Sequence, residues 1–115
     1  MEHKGLDAWK KSIDLVEMIY TATKKFPKEE VFCLVQQMRR SAVSIPSNIA
    51  EGCARKNDAE TIQFLYIAMG SLAELETQLI VSEKIGYGNF KEIIEQLSIV
   101  KQLIIGLIKY LKTKK

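Results

Sequence analysis

The sequence predicts an all-α protein folded as an antiparallel, up-down four-helix bundle. Apolar residues recur every three or four positions along four stretches, each about twenty residues long, with short connections between them. No stretch alternates apolar and polar residues between turn residues, as strands do. The 115 residues, 47% of them hydrophobic and only two of them proline, suit a single domain over residues 1–115.

The first helix is predicted over residues 6–25. One apolar row follows it at spacings of four and three: Trp9, Ile13, Val16 and Tyr20. A second row flanks the first and makes the apolar face wide: Leu15, Ile19 and Ala22. Phe26-Pro27 ends this helix, because the residue before proline is disfavoured in helical geometry.

The second helix is predicted over residues 28–52. Pro27 is tolerated in a helix first turn, and the helix dipole favours the acidic Glu29 and Glu30 there. Gly52 is a natural C-terminal stop. Pro46 lies inside this helix, and since the apolar spacing continues through it, we expect a kink and not a break.

The third helix is predicted over residues 58–85 and the fourth over residues 90–112. Asn57 with Glu60 resembles a capping box that opens the third helix, and Gly86 ends it. The fourth helix is apolar on more than one face, because residues 103–105 are all apolar and cannot all point into one core. We therefore expect part of its surface to meet another subunit.

The residue types of the common catalytic and metal sites are scarce. His3 is the only histidine, so no Ser-His or Cys-His pair and no di-iron site is expected within the helices. Cys33 and Cys53 are too far apart along one helix for a disulfide, so both are expected to be reduced. The chain has no glycine-rich phosphate loop and no calcium loop. We therefore predict no catalytic residue, no metal and no cofactor.

No run of about 18 uncharged apolar residues occurs, so we expect no membrane-spanning segment. The first five residues, MEHKG, lack the apolar core of a signal peptide. These two observations predict a cytoplasmic protein that does not bind a membrane.

The net charge of +3 hides a strong segregation of charge along the chain. Residues 1–23 carry −1, residues 24–56 carry +4, residues 57–108 carry −4, and residues 109–115 carry +4. Such a distribution can present a basic surface to RNA or DNA. The candidates for phosphate contact are Arg39, Arg40, Arg55 and Lys56, helped by the lysine tail. The alternative is that these cations only complement helix dipoles and keep the surface solvated.

A second group of polar residues predicts a network between helices two and three or between subunits. Its members are Arg40, Ser44, Asn48, Glu51, Ser71 and Glu74. A pair between Arg40 and Glu74 is one expectation, and Gly70 predicts close backbone approach. The simpler alternative is that the small hydroxyls permit close packing and bond to carbonyls of their own helix.

Two long motifs resemble one family. Residues 36–52, QQMRRSAVSIPSNIAEG, and residues 64–79, FLYIAMGSLAELETQL, resemble the four-helix-bundle proteins encoded in bacterial 23S ribosomal RNA intervening sequences. The opening Leu6-Asp7-Ala8-Trp9 and the Phe26-Pro27 pair followed by Glu29 also fit, whereas helix four matches in pattern only.

The resemblance implies an up-down bundle that assembles as a ring-shaped homopentamer. It also implies kinship with the accessory proteins of diversity-generating retroelements, which are basic pentamers that bind nucleic acid and a reverse transcriptase. Those proteins are usually more basic than +3.

Three functions remain open at this point. The first is a non-catalytic, oligomeric bundle that binds RNA, ribosomal RNA included, or acts as an accessory protein. The second is a structural adaptor that binds a protein partner, such as a reverse transcriptase, through its oligomeric surface. The third, an enzyme with a site around Glu51 and Glu74, is disfavoured because neither carboxylate has an identifiable catalytic companion.

Overall fold

A computed structural model of the chain describes residues 1–114. It contains four α-helices: α1 (Asp7–Thr23), α2 (Leu34–Cys53), α3 (Asp58–Ile85) and α4 (Lys91–Thr113). Short 3₁₀ turns cover His3–Gly5 and Lys28–Glu30, and no strand occurs in these 114 residues. The predicted all-α class is confirmed.

Each helix packs against the next one in the chain, and α1 also packs against α4. The four helices therefore surround one core in a body about 50 Å long and 20–23 Å wide. The largest fully buried side chains come from every helix: Leu15, Ile19, Met38, Ile45, Ile49, Leu65, Leu72, Leu75, Leu79, Leu97, Val100 and Ile104. Burying each of them stabilises the fold by about 1.5–3 kcal/mol relative to leaving it exposed.

On α1 the core faces the second apolar row rather than the first. Leu15 and Ile19 are fully buried, whereas Ile13 and Tyr20 are exposed. The buried row also contains the polar residues Ser12 and Thr23, so it is less evident as an apolar row in the sequence. These residues bond to their own helix: the Ser12 hydroxyl donates to the Trp9 carbonyl at 2.7 Å and the Thr23 hydroxyl to the Ile19 carbonyl at 2.7 Å.

The helix α2 begins at Leu34 and not at residue 28 as predicted. The Lys28–Glu30 segment forms a 3₁₀ turn, and Cys33 has non-helical backbone angles (φ −122°, ψ −102°). The Tyr87 hydroxyl donates to Glu30 Oε2 at 2.6 Å, and the Phe26 ring lies 5.1 Å from the Tyr87 ring. This segment is therefore tied to the loop between α3 and α4, which the local sequence does not reveal.

The structure tests three of the predictions, one within α2 and one at each end of α3. The helix α2 is continuous through Pro46, so proline does not break it. The capping box is confirmed, since the Glu60 amide donates to Asn57 Oδ1 at 2.9 Å and Asn57 Nδ2 donates to Glu60 Oε2 at 3.0 Å. Gly86 ends α3 in the left-handed conformation, with φ +99°.

Among the described helices, α3 has the length and apolar composition that could cross a membrane. The core helix of a folded protein meets the same criteria, so this property by itself is weak evidence for a membrane span. The helix buries Leu65, Leu75 and Leu79 against the rest of the bundle and carries Glu74 and Glu76 near its middle. We therefore interpret α3 as a core helix.

Candidate nucleic-acid interface

Arg39 and Arg40, adjacent in the sequence, have different roles in the structure. Arg39 Nε donates to the Thr23 hydroxyl at 3.0 Å, and the guanidinium lies 4.5 Å from the centre of the Tyr20 ring. Arg39 is thus held between α1 and α2. Arg40 is exposed and makes no ion pair or hydrogen bond within residues 1–114, so it is the member of the pair that is free to meet a ligand.

Arg55 and Lys56 show the same division. Arg55 pairs with Glu51 (Nη2 to Oε2, 2.9 Å) and more loosely with Glu60 (Nη1 to Oε1, 3.9 Å). Its guanidinium also lies 4.5 Å from the Phe64 ring centre. Lys56 is exposed and has no carboxylate within ion-pair distance in the described part of the chain. Each predicted pair therefore supplies one anchored cation and one free cation.

Three basic segments that are distant in sequence meet at one end of the bundle, which we call the basic end. The Met1 ammonium donates to the Cys53 carbonyl at 3.1 Å, which brings the N-terminus to the end of α2. Lys114 Nζ lies 3.5 Å from Asp58 Oδ2, so the C-terminal lysines reach the start of α3. Lys56, in the turn between α2 and α3, lies at this same end. The tail residue Lys115 lies outside the described residues.

The four predicted phosphate ligands do not form one patch within a subunit. Arg39 and Cys53 both lie in α2, and at 1.5 Å per residue the helix separates them by about 20 Å. Arg40 therefore lies far from the basic end that contains Arg55 and Lys56. The sequence could not show which of these four charges are already paired, because pairing depends on how the helices pack.

The predicted polar network forms in part, along the seam where α2 packs on α3. The Ser44 and Ser71 hydroxyls are 2.8 Å apart, and Asn48 Nδ2 donates to both the carbonyl and the hydroxyl of Ser44, at 2.8 and 2.9 Å. Glu74 joins the seam through Ser41, whose hydroxyl donates to Glu74 Oε1 at 3.3 Å. The structure thus combines both alternatives, contacts between helices and a bond back to the same helix.

Two predicted members of this network, Glu51 and Arg40, make no hydrogen bond or ion pair with its other members in the described residues. Glu51 pairs with Arg55, its neighbour one turn later. The expected pair between Arg40 and Glu74 is wrong, because no nitrogen of Arg40 lies within 4.0 Å of a Glu74 oxygen. Each residue turns a helix by about 100°, so Ser41 faces α3 and is buried while Arg40 lies at the exposed edge of the seam.

The structure raises the pKa of Tyr87 to about 12, chiefly because its hydroxyl donates to Glu30. At the basic end, the hydrogen bond from the Lys4 amide holds the pKa of Glu2 below its usual value. Burial raises the pKa of the Cys53 thiol. Cys33 and Cys53 are both free thiols, as expected.

The comparisons with known proteins agree with this architecture. Residues 4–108 match the family model described as 23S rRNA-intervening sequence protein. The chain belongs to this family. A crystal structure from Bacteroides thetaiotaomicron VPI-5482, described as a protein with unknown function from the S23 ribosomal protein family, is 26% identical, with a TM-score of 0.81. The match covers 89% of this chain and 95% of that one. No curated protein matches the sequence.

In this intervening-sequence protein, the close approach of two helices occurs at Gly52 and not at Gly70 as predicted. A Cβ atom at Gly52 would lie 2.9 Å from Phe64 Cβ and 3.2 Å from the Thr61 carbonyl oxygen. The Thr61 hydroxyl donates to the Gly52 carbonyl at 2.8 Å and holds the two helices together. At Gly70 nothing lies within 4 Å of such a Cβ.

Gly70 lies instead on an exposed apolar side of α3, which we call the outer α3 face. Its large side chains are Tyr66, Ile67, Ile80, Val81 and Ile85. On α4, Ile99 and Tyr110 are also exposed, whereas Ile104 is buried as a core residue. The sequence predicts unburied apolar surface on helix four, and the structure places more of it on α3.

Proposed function

We propose that this intervening-sequence protein is a non-catalytic homo-oligomer that binds structured RNA through its basic end. Each subunit is one up-down bundle with antiparallel neighbouring helices, and the protein acts in the cytoplasm. The observation that carries the proposal is the convergence of the N-terminus, the turn with Lys56 and the C-terminal lysines. Phosphate neutralisation by such clustered cations supplies most of the affinity of nonspecific RNA binding.

Exposed aromatic rings at the basic end support RNA as the ligand. Lys112 Nζ donates to the Tyr66 hydroxyl at 2.9 Å, and Lys114 Nζ lies 5.8 Å from the centre of the exposed Tyr110 ring. A cation beside an exposed ring can contact a phosphate while the ring stacks on an unpaired base. Loops and bulges of a folded RNA present both groups.

Assembly would compensate for the small number of free cations in each subunit. The outer α3 face is too apolar to suit a helix that contacts only water, and the open space at Gly70 would let another helix approach closely. We propose that the part of this face away from the basic end, from Gly70 to Ile85, forms the contact between subunits in a ring-shaped homopentamer. A ring would repeat the basic end five times, so weak individual contacts would add through multivalency.

The experiment is a binding titration with a fluorescent RNA stem-loop between about 50 and 200 mM salt. The double variant Lys56→Ala, Lys112→Ala should bind more weakly and show a shallower salt dependence, by about one unit of slope for each phosphate that is no longer neutralised. The double variant Lys24→Ala, Lys25→Ala removes the same charge from the opposite end and serves as the control.

Two results would contradict RNA binding at the basic end. One is the absence of binding by the unaltered protein at about 50 mM salt, where electrostatic contacts are strongest. The other is an equal decrease of affinity in the two double variants, which would indicate a diffuse charge effect.

A second candidate function is an adaptor that binds a protein partner, such as a reverse transcriptase, through the oligomeric surface. It is favoured by Phe32, which is 85% exposed in the turn before α2 and lies beside the exposed Val31. Exposed aromatic side chains often anchor protein interfaces. An oligomer that does not bind RNA, but whose Phe32→Ala variant loses a co-purifying protein, would favour this function.

A further inference from the structure

A polar cleft lies between α2 and α3, on the side where Arg40 is exposed. Its volume is about 400 Å³, which is within the range of small-molecule sites. The residues that line it are Gln37, Arg40, Ser41, Ser44, Glu74 and Gln78. Every one of them is polar or charged, so the cleft suits a polar occupant.

Gln78 lines the cleft with a carboxamide that no hydrogen bond holds within residues 1–114. This side chain is 9% exposed, and its Oε1 atom is closed off without a hydrogen-bond partner in the described part of the chain. A buried carbonyl oxygen without a donor is uncommon in folded proteins. Gln78 Nε2 also makes no hydrogen bond in the described part of the chain, so rotation about the last torsion can present either the oxygen or the NH₂ group to the cleft.

The two charges of the cleft, both on exposed side chains, favour an occupant that carries the opposite groups. Glu74 receives one hydrogen bond of 3.3 Å from Ser41 and has no cation within 4.0 Å among residues 1–114, so it can accept from a positive donor. Arg40 has no acceptor among the described residues and can hold a carboxylate through two parallel hydrogen bonds. An anion alone would meet the negative charge of Glu74, and a cation alone would leave Arg40 without a partner.

We propose that this cleft binds a free amino acid with a cationic side chain. Its guanidinium or ammonium group donates to Glu74 and to the carboxamide oxygen of Gln78, and its carboxylate accepts from Arg40. The inference rests on the cleft and does not depend on RNA binding or on the basic end.

The test is a calorimetric titration of the protein with L-arginine, with agmatine, which lacks the carboxylate, and with L-norvaline, which lacks the guanidinium group. L-arginine should bind with one site per chain, and each truncated compound at least about tenfold more weakly. The variants Gln78→Leu and Glu74→Gln should each reduce L-arginine affinity by at least about tenfold. Glu76→Gln, which removes the same charge from the same helix outside the cleft, should bind like the unaltered protein.

Three outcomes would overturn the proposal. The first is no heat of binding with L-arginine at about 10 mM, a concentration that would detect even weak sites. The second is unchanged affinity in Gln78→Leu, provided that its circular dichroism shows a folded helix bundle. The third is dissociation of an oligomer by Gln78→Leu, seen by light scattering, which would assign the cleft to a second copy of the chain. None of these outcomes bears on the RNA titration, so RNA binding and amino-acid binding fail separately. The third outcome would move the contact between subunits from the outer α3 face to the cleft.

Discussion

Gly52 and Gly70 lie on helices that pack on each other, yet their surroundings are opposite. Gly52 belongs to the seam between α2 and α3, where a methyl group would collide with Phe64 and with the Thr61 carbonyl. Gly70 belongs to the outer α3 face, where a methyl group would meet open space. The seam is thus completed within one subunit, whereas the outer face is free to take a neighbour.

The largest effect is expected from a charge placed on the outer α3 face. Ile80→Glu should convert the proposed homopentamer to monomers, because an unpaired charge buried in an interface costs about 2–5 kcal/mol. Light scattering measures the mass, and circular dichroism checks that the helices remain. Ile13→Glu makes the same change at an exposed position of α1. An oligomer that survives Ile80→Glu would show that this face is not the contact between subunits.

A smaller but clear decrease of stability is expected at the seam. Gly52→Ala should lower the free energy of unfolding by about 1–3 kcal/mol, since overpacking outweighs the better helix propensity of alanine. Urea denaturation measures the change. A Gly52→Ala protein as stable as the original would mean that Phe64 can move aside for the added methyl group without cost.

The hydrogen bond between Ser44 and Ser71 should contribute about 0.5–1.5 kcal/mol. A double-mutant cycle with Ser44→Ala, Ser71→Ala and both together isolates that contribution by urea denaturation. Additive effects of the two changes would show that the 2.8 Å contact does not couple the helices.

Gly70→Ala tests most directly whether the outer α3 face is open, in contrast to the packed seam. In the monomeric Ile80→Glu background it should raise the free energy of unfolding by up to about 1 kcal/mol, because alanine favours the helix and meets no neighbour. In the oligomer it should weaken assembly if another helix approaches there. Destabilisation of the monomer would contradict the open space at this position.

The smallest effect is expected from the hydrogen bond between Tyr87 and Glu30 in the turn before α2, which lies outside the seam and the outer α3 face. Because the pKa of Tyr87 is raised to about 12 in the folded protein, its bond to Glu30 stabilises the fold below the ordinary pKa of about 10. That contribution disappears as the pH rises from about 10 to about 12. Unfolding followed between pH 8 and 12 should show this decrease, and Tyr87→Phe should lack it.

Much of the fold could be predicted because its signals are local. The capping box at Asn57 and Glu60 and the stop at Gly86 depend on residues within one turn of each other. The start of α2 could not be predicted, because Glu30 is held by Tyr87, which is 57 positions away in the chain. The candidate site was predicted by residue type, but the pairing of Arg55 with Glu51 and the stacking of Arg39 on Tyr20 depend on helices already packed.

Local patterns in the sequence suffice to predict the four helices, the reduced cysteines and the family, since periodicity, caps and motifs are properties of neighbouring residues. Three features depend instead on how the helices pack: which apolar row of α1 is buried, which cations remain free and which glycine meets another helix. These depend on how far each helix is rotated about its axis against its neighbours. That rotation is set by packing across the core, and a wide apolar face such as that of α1 permits more than one solution.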